Sequence, residues 1–472
     1  MTFSTGSQGR LPRLLPLPGF MPSRIIEALP CPPGLPGFSR VHDRARSMQS
    51  SRAFLPIPPP RDLADASGVS ACSRLSGEAS MPSSSSHVGR TGRPRVVIDL
   101  EKVRHANCGL GRFCRYLAEG ILASPDRGIE PVLFLPPPPA GARPTVRFFQ
   151  DGAVEHIDVS PWRKESFARF LRPLVRPFGA DGRCDLWHVT SQSSKYLPLD
   201  PRVPVVLTIH DLNFLHDERH RSRPAAVTRK LAAVQAKIDR AAAVVTISKF
   251  VAEDVRASLD LRGKPLHVVP NGLPPAAVAS SRRPTFLTPG RFLLTVGAAL
   301  PHKNCHVLLA MIARTNDLRL VIAGRKATPY GAFLEEEVRR LGLTDRVLLP
   351  GEVCDGDRQW LYEHCDAFLF PSLTEGFGFP VLEAMQCGRP VFAARRTSLP
   401  EVAGDRAGWW DSFDPDAMLR VVREGLAAAA AAPGFASAQA AHAATFTWER
   451  AAAGYLHVYG EILGRKGARA CA

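Results

Sequence analysis

Residues 371–385 read PSLTEGFGFPVLEAM. They follow the apolar run AFLF at 367–370, and carry bare glycines at 376 and 378 and a proline at 380. An apolar run closing on Pro-Ser predicts a buried strand, the glycines predict a loop of exposed backbone, and Pro380 suits the first turn of a helix because its missing N–H needs no partner there. Strand, loop and helix in succession are the unit of a parallel sheet. On this reading Glu375 lies on the loop and Glu383 in the first helical turn.

The same unit recurs on both sides. Downstream comes RPVFAA, and upstream FLLTVG, LRLVIAG and RVLLPG, with HVLLAMIAR, AFLEEEVRRLG and RQWLYEHC as intervening helices. An earlier series runs RVVIDL at 95, PVLFL at 131, DLWHV at 185, VVLTI at 205, AVVTI at 243 and LHVVP at 266, with the helical FVAEDVRASL between the last two. Alternation of short apolar runs with amphipathic stretches predicts an α/β protein with two Rossmann-like, doubly wound domains. The first domain is placed at 94–273, a Pro, Ala and Ser-rich linker at 274–290, the second domain at 291–440, and a C-terminal helix within 441–472 that crosses back to the first domain. Residues 1–93 hold LPRLLPLPGF, PCPPGLPG, LPIPPP and PSSSSHVGRTGRP, a composition that cannot build a packed core and predicts a disordered tail. A translation start at Met81 is the alternative explanation of that block.

The chain has 472 residues, 45 % hydrophobic and 22 % charged, ordinary for a globular protein. Its ten cysteines are scattered and none forms a Cys-x-x-Cys pair, which points to reduced thiols in a cytoplasmic setting and away from a zinc site. The net charge is +16, of which the first ninety residues, with ten basic and five acidic side chains, carry +5. Such charge suits nucleic acid, an anionic membrane face or a phosphate-bearing substrate. No basic helix or interleaved aromatic surface supports nucleic acid, and no apolar run reaches the length of a membrane span. Charge on the first domain allows a peripheral contact with the inner face of the cytoplasmic membrane, although an Arg-rich solvated surface is the blander reading.

In an open parallel sheet the ligand crevice lies beyond the carboxyl ends of the strands. Ser248, Asn271, Gly297, Gly324, Gly351 and Ser372 stand at such ends. Around 371–385, the glycine amides and the positive end of the following helix make an anion pocket with a carboxylate on either side. A phosphate held by amides and a sugar whose hydroxyls need acceptors use every part of it. Two alternatives stay open: Glu383 as a complement to the helix dipole with Glu375 merely solvated, and a hydrolytic carboxylate pair.

Extended through AMQCGRPVFAARRTSLPEVAGD at 384–405, this segment resembles the signature of family 4 retaining glycosyltransferases of the two-domain GT-B fold. VGAALPHKN at 296–304, LVIAGRK at 320–326, TIHDLNFL at 208–215, VVTISKF at 244–250, VVPNGL at 268–273 and NCGLGRF at 107–113 agree with it. The resemblance covers nearly all of 95–460 and implies a retaining hexosyltransferase; because no acidic cluster marks a metal site and fixed cations can replace one, transfer without a metal or other cofactor is expected. It implies that Glu383 accepts hydrogen bonds from the nucleotide ribose. Glu375 and the amides of Gly376, Phe377 and Gly378 hold the sugar and diphosphate, and Lys303 neutralises the leaving diphosphate. His210 contacts the transferred sugar with Asp211 orienting it, and Gly109 and Gly111 let the first loop close over the donor. One departure stands out. Ala298 and His302 occupy places where arginine is usual, so the second phosphate-binding cation falls to Arg325 or Lys326. The VGxxxPxKN pattern resembles mannosyltransferases, making GDP-mannose the first donor expected, ahead of a UDP-sugar. The acceptor expected is a glycan or lipid-linked saccharide of surface polysaccharide or lipopolysaccharide synthesis. The same departures leave open a catalytically silent nucleotide-sugar-binding or scaffold protein of this fold.

Overall fold

A computed structural model describes residues 92–105, 108–136, 154–159, 164, 184–217, 223–280 and 282–470. The expected tail lies outside them except for its last two residues.

The first lobe opens with strand β1 (Arg95–Asp99), a 3-10 turn and helix α1 (Gly109–Ala123). It continues through β2 (Glu130–Leu135), β3 (His156–Asp158), β4 (Leu186–Val189), β5 (Val205–Ile209), α2 (Pro224–Arg240), β6 (Ala243–Thr246), α3 (Lys249–Ser258) and β7 (Leu266–Val268). The seven strands are parallel in the order β3-β2-β1-β4-β5-β6-β7. The second lobe contains β8 (Leu293–Val296), a 3-10 turn (Pro301–Lys303), α4 (His306–Ile312), β9 (Leu320–Ala323), α5 (Pro329–Arg340) and β10 (Val347–Gly351). Then follow α6 (Asp355–His364), β11 (Ala367–Phe370), α7 (Phe379–Gln386), β12 (Val391–Ala394), α8 (Leu399–Ala403), β13 (Ala407–Trp410), α9 (Pro415–Ala431) and α10 (Phe435–Ala443). Its sheet is also parallel, ordered β10-β9-β8-β11-β12-β13.

Strands β4, β5, β6, β9, β11 and β12 are buried at every residue, as a sheet covered by helices on both faces requires. In each lobe the strand order reverses between two neighbours, β1 and β4 in the first and β8 and β11 in the second. Those reversals open the crevices in which a ligand is held.

The C-terminal helix α11 (Trp448–Ala470) packs on the first lobe. Trp448 stacks on Tyr116, with ring centroids 5.9 Å apart. The Tyr459 hydroxyl lies 2.7 Å from Nδ1 of buried His188, and the Tyr455 hydroxyl meets Thr208 Oγ1 at 3.0 Å. His188 Nε2 in turn sits 2.8 Å from Thr208 Oγ1, so the helix closes a buried polar network under the sheet. The segment 274–290 has no regular structure among its described residues and is tied to α6, where Ser280 N donates to the Gly356 carbonyl at 3.0 Å and Ser280 Oγ to Asp357 Oδ1 at 2.6 Å.

Strands β3 and β13 were not in the sequence-based series. Both are sheet edges: β3 has two of its three residues exposed, and β13 begins with three half-buried ones. β3 (His-Ile-Asp) carries no apolar run, and β13 offers only the four residues Ala-Gly-Trp-Trp. Among the described residues, no helix is long and apolar enough to cross a membrane.

Candidate functional site

The loop from Ser372 to Gly378 links the carboxyl end of β11 to α7 and is fixed by side-chain hydrogen bonds. Ser372 Oγ donates to Glu375 Oε1 at 2.6 Å, and the Glu375 amide donates to Thr397 Oγ1 at 3.1 Å. Ser398 Oγ lies 2.9 Å from the Glu375 carbonyl and 3.1 Å from that of Phe377. Lys303, which follows β8 across the strand-order reversal, places Nζ 2.5 Å from Glu375 Oε1 and 5.1 Å from the Phe370 ring centroid. Both partners are mostly buried, so the pair is shielded from the solvent screening that weakens surface ion pairs.

Gly378, at φ 107°, forms the left-handed entry to α7, which then begins at Phe379 with Pro380 second. Glu383 is accordingly the fifth helical residue and stands in the second turn, not the first. Glu383, 8 % exposed and doubly partnered, does more than complement the dipole, and Glu375, bonded to Ser372 and Lys303, is not a solvated loop residue. Tyr362 donates from its hydroxyl to Glu383 Oε2 at 2.8 Å, and burial beside this carboxylate holds the phenol well above its ordinary pKa. Arg112, from α1 of the first lobe, brings Nη1 to 2.6 Å from Glu383 Oε1. Its N–H bonds are not aligned on that oxygen, so the contact is an ion pair more than a directed hydrogen bond.

The first lobe meets the same loop from the other side. His210, after β5, is buried; its Nε2 lies 2.8 Å from the Thr190 carbonyl, which requires the proton on Nε2. Its ring stands edge-on to Phe113, with centroids 4.5 Å apart. Desolvation by these neighbours lowers the imidazole to about 4, so it is neutral near pH 7. Asp211 does not orient this ring, contrary to expectation. Its Oδ1 accepts from the Asn213 amide at 3.1 Å, and Thr190 fixes the imidazole instead. Burial raises the Asp211 carboxyl, with the Glu375 charge adding to the shift.

Gly376 is the seam between the lobes. A Cβ there would stand 2.1 Å from the His210 carbonyl oxygen, and Ser248 Oγ, at the start of α3, donates to the Gly376 carbonyl at 2.9 Å. Thr374 Oγ1 donates to Asn213 Oδ1 at 2.5 Å. Glu401 of α8 caps α3 across the seam, accepting from the Lys249 and Phe250 amides at 2.8 and 3.2 Å.

The remaining expected residues fall as follows. Gly109 and Gly111 are the first and third residues of α1, not part of an open loop. Gly111 is required because a Cβ would lie 2.1 Å from the His105 carbonyl oxygen, and Cys108 Sγ caps its amide at 3.4 Å. The Phe377 side chain is buried against Phe379 and Phe446. Lys326 Nζ bonds the Leu349 carbonyl at 2.9 Å and Glu335 at 2.9 Å, so its charge is taken up at the rim of the second lobe. Arg325 is exposed beyond β9. The structure thus brings Glu375, Lys303, His210 and Gly376 to one seam, with Glu383 alongside. Sequence reasoning had not singled out Arg112, Tyr362, Thr397, Ser398 or Glu401. Ser398 and Glu401 lie in the quoted signature and Arg112 in NCGLGRF, but their contacts have no local signal.

Two family models match the chain in tandem: Glycosyltransferase Family 4 over residues 108–277 and Glycosyl transferases group 1 over 280–427. The chain belongs to glycosyltransferase family 4. The boundary between the two matches falls in the linker tied to α6. Among curated relatives of this family 4 chain, the serotype-specific mannosyltransferase WbdA of Escherichia coli is 30 % identical over 245 residues, covering 47 % of the chain and 29 % of WbdA. The O-antigen chain mannosyltransferase B of Escherichia coli is 32 % identical over 178 residues, 36 % of the chain and 45 % of the relative. The chain therefore spans less than half the length of these relatives. Sucrose-phosphate synthase from Thermosynechococcus elongatus superposes with a TM-score of 0.60 at 18 % identity, covering 79 % of this chain and 100 % of that one, a likeness of fold.

Proposed function

We propose that this family 4 chain transfers a hexose, mannose first among candidates, from a nucleotide-diphosphate sugar to a glycan or lipid-linked acceptor in surface polysaccharide or lipopolysaccharide synthesis. One observation carries the reading: Lys303 and Glu375 meet beyond the carboxyl ends of β8 and β11, at the strand-order reversal where this fold holds ligands, with Glu383 on the helix that follows. The mannosyltransferase names of WbdA and the O-antigen relative support the choice of sugar and acceptor class.

In the proposed reaction the bond from the anomeric carbon to the diphosphate breaks, and the acceptor oxygen bonds to the same face of that carbon. The acceptor proton passes to an oxygen of the leaving phosphate. Lys303 and the amides entering α7 offset the charge that develops on the diphosphate, and because Ser372, Thr397 and Ser398 already hold the loop, little reorganisation accompanies the step. Fixed cations stand in for a metal ion in this scheme. Neutral His210, with its Nε2 proton committed to Thr190, offers Nδ1 as an acceptor for a sugar hydroxyl.

The test is turnover of GDP-mannose, UDP-glucose and UDP-N-acetylglucosamine, followed by NMR with and without EDTA. The expected result is consumption of one donor, insensitive to EDTA, with the first sugar product keeping the donor's anomeric configuration. Tight nucleotide binding without turnover, even with acceptor extracts, would instead favour the silent sugar-binding reading.

A further inference from the structure

We propose that Arg112 of the first lobe is the second cation of the donor site, binding the diphosphate of the nucleotide donor together with Lys303. The inference rests on the donor reading above and names a group which that reading lacks. Ala298 supplies no charge after β8, Lys326 is turned to the Leu349 carbonyl at the rim of the second lobe, and Arg325 is exposed beyond β9. Arg112, in contrast, reaches across the seam to the start of α7. Its guanidinium carbon is 5.5 Å from the ring centroid of Phe379, the first residue of that helix, and its Nη1 is 2.6 Å from Glu383 Oε1.

Helical side chains lean toward the N-terminus, so the Glu383 carboxylate lies over the turn that precedes it. Arg112 therefore sits at the amide-bearing, anion-attracting end of α7, 22 % exposed and backed by an aromatic face. Its bond to Glu383 is poorly directed, while Tyr362 holds the other carboxylate oxygen firmly. Ribose hydroxyls donating to Oε1 would take over the directed bonding of that oxygen. They leave the five N–H donors of the guanidinium to a phosphate, which they match in a two-pronged geometry that an ammonium lacks. The arrangement also couples the lobes, because the cation of one is recruited by a ligand bound mainly to the other.

The competing account is a plain staple, an ion pair that holds the lobes together. The two differ in which part of a nucleotide they affect. Dissociation constants for GDP, UDP, guanosine and uridine are measured by thermal shift and by calorimetry on wild type, Arg112→Gln and Arg112→Lys. For the base that wild type accepts, Arg112→Gln is expected to weaken the diphosphate about 10- to 100-fold, the range of a lost charge-assisted pair of hydrogen bonds. The nucleoside is expected to change by less than about threefold, and Arg112→Lys to fall between. Equal loss for diphosphate and nucleoside, or no loss for either, overturns the proposal in favour of the staple. If Arg112→Gln does not fold, the lysine variant decides by the same ratio. Failure of wild type to bind any of the four overturns the donor reading itself, and is seen before any substitution is made.

Discussion

Replacing Gly376 by alanine tests the seam on which the site depends. The new Cβ would stand 2.1 Å from the His210 carbonyl oxygen and 3.0 Å from Asp211 Cβ, and both obstacles are near or part of the backbone. Restoring an ordinary contact moves the loop or the first lobe by about 1 Å, judged against the 3.0 Å approach that real Cβ atoms respect. Such a shift strains the packing by about 1–3 kcal/mol and disrupts the Ser248 bond to the Gly376 carbonyl, a further loss of about 1 kcal/mol. At about 2–4 °C per kcal/mol for a lobe of this size, a melting point lower by roughly 4–16 °C follows. The larger effect falls on turnover, since Glu375 is the next residue and a 1 Å displacement of a positioned group costs roughly 100-fold in rate. The assay is steady-state turnover of the accepted donor beside a calorimetric melt. A Gly376→Ala enzyme with wild-type melting and wild-type turnover would refute the closed seam, and with it the claim that both lobes build the site.

Lys303→Gln should lower donor turnover by about 100- to 1000-fold while the protein still folds, measured by the same assay; retained turnover would remove Lys303 from the leaving-group site. Glu401→Gln weakens the cap that spans the lobes and should cost about 1 kcal/mol, with a larger radius of gyration by solution scattering; an unchanged radius and melt would contradict that role. Tyr459→Phe leaves buried His188 Nδ1 without its hydrogen-bond partner and should cost about 1–3 kcal/mol in denaturant unfolding. Burial lowers His210 to about 4 and His188 to about 3, so the unfolded chain takes up protons that the folded one refuses as pH falls from about 6.5, and stability declines through that window toward pH 4. Buried Asp99, raised to about 7, opposes this, because between about pH 4 and 7 the folded carboxyl keeps a proton that the unfolded chain loses. Asp99→Asn should therefore steepen the acid-side fall in melting temperature between pH 6.5 and 4; a shallower fall would reverse the assignment.

Most of the fold was legible because its signals are local. VVLTI at 205–209 forms β5 over the same five residues, and AFLF is β11, since a strand buried on both faces reads as a nearly continuous apolar run. The edge β3 escaped because two of its three residues face solvent, and β13 because it is only four residues long and its Gly408 position is set by contact with the Phe392 ring, information held elsewhere in the chain. The candidate site divides in the same way. Lys303, Glu375 and His210 could be placed because each follows a readable strand. Glu383 was put one turn too early because the left-handed Gly378 makes the helix begin at Phe379. Gly376 read as backbone bared for a ligand, and the close approach of the His210 carbonyl that also requires glycine there has no local signal. Arg112, Ser248 and Glu401 act across separations of more than a hundred residues, where periodicity and turn chemistry carry no information.

The central claim, a nucleotide-sugar donor site built on Glu383, is tested most directly by thermal stabilisation of the chain with GDP-mannose, UDP-glucose, UDP-N-acetylglucosamine, GDP and UDP, in wild type and Glu383→Ala. A ligand bound only by the folded state raises its melting point by mass action. A shift with one nucleotide family, lost in Glu383→Ala, is the expected result. A shift that survives in Glu383→Ala, or none with any nucleotide, would contradict it.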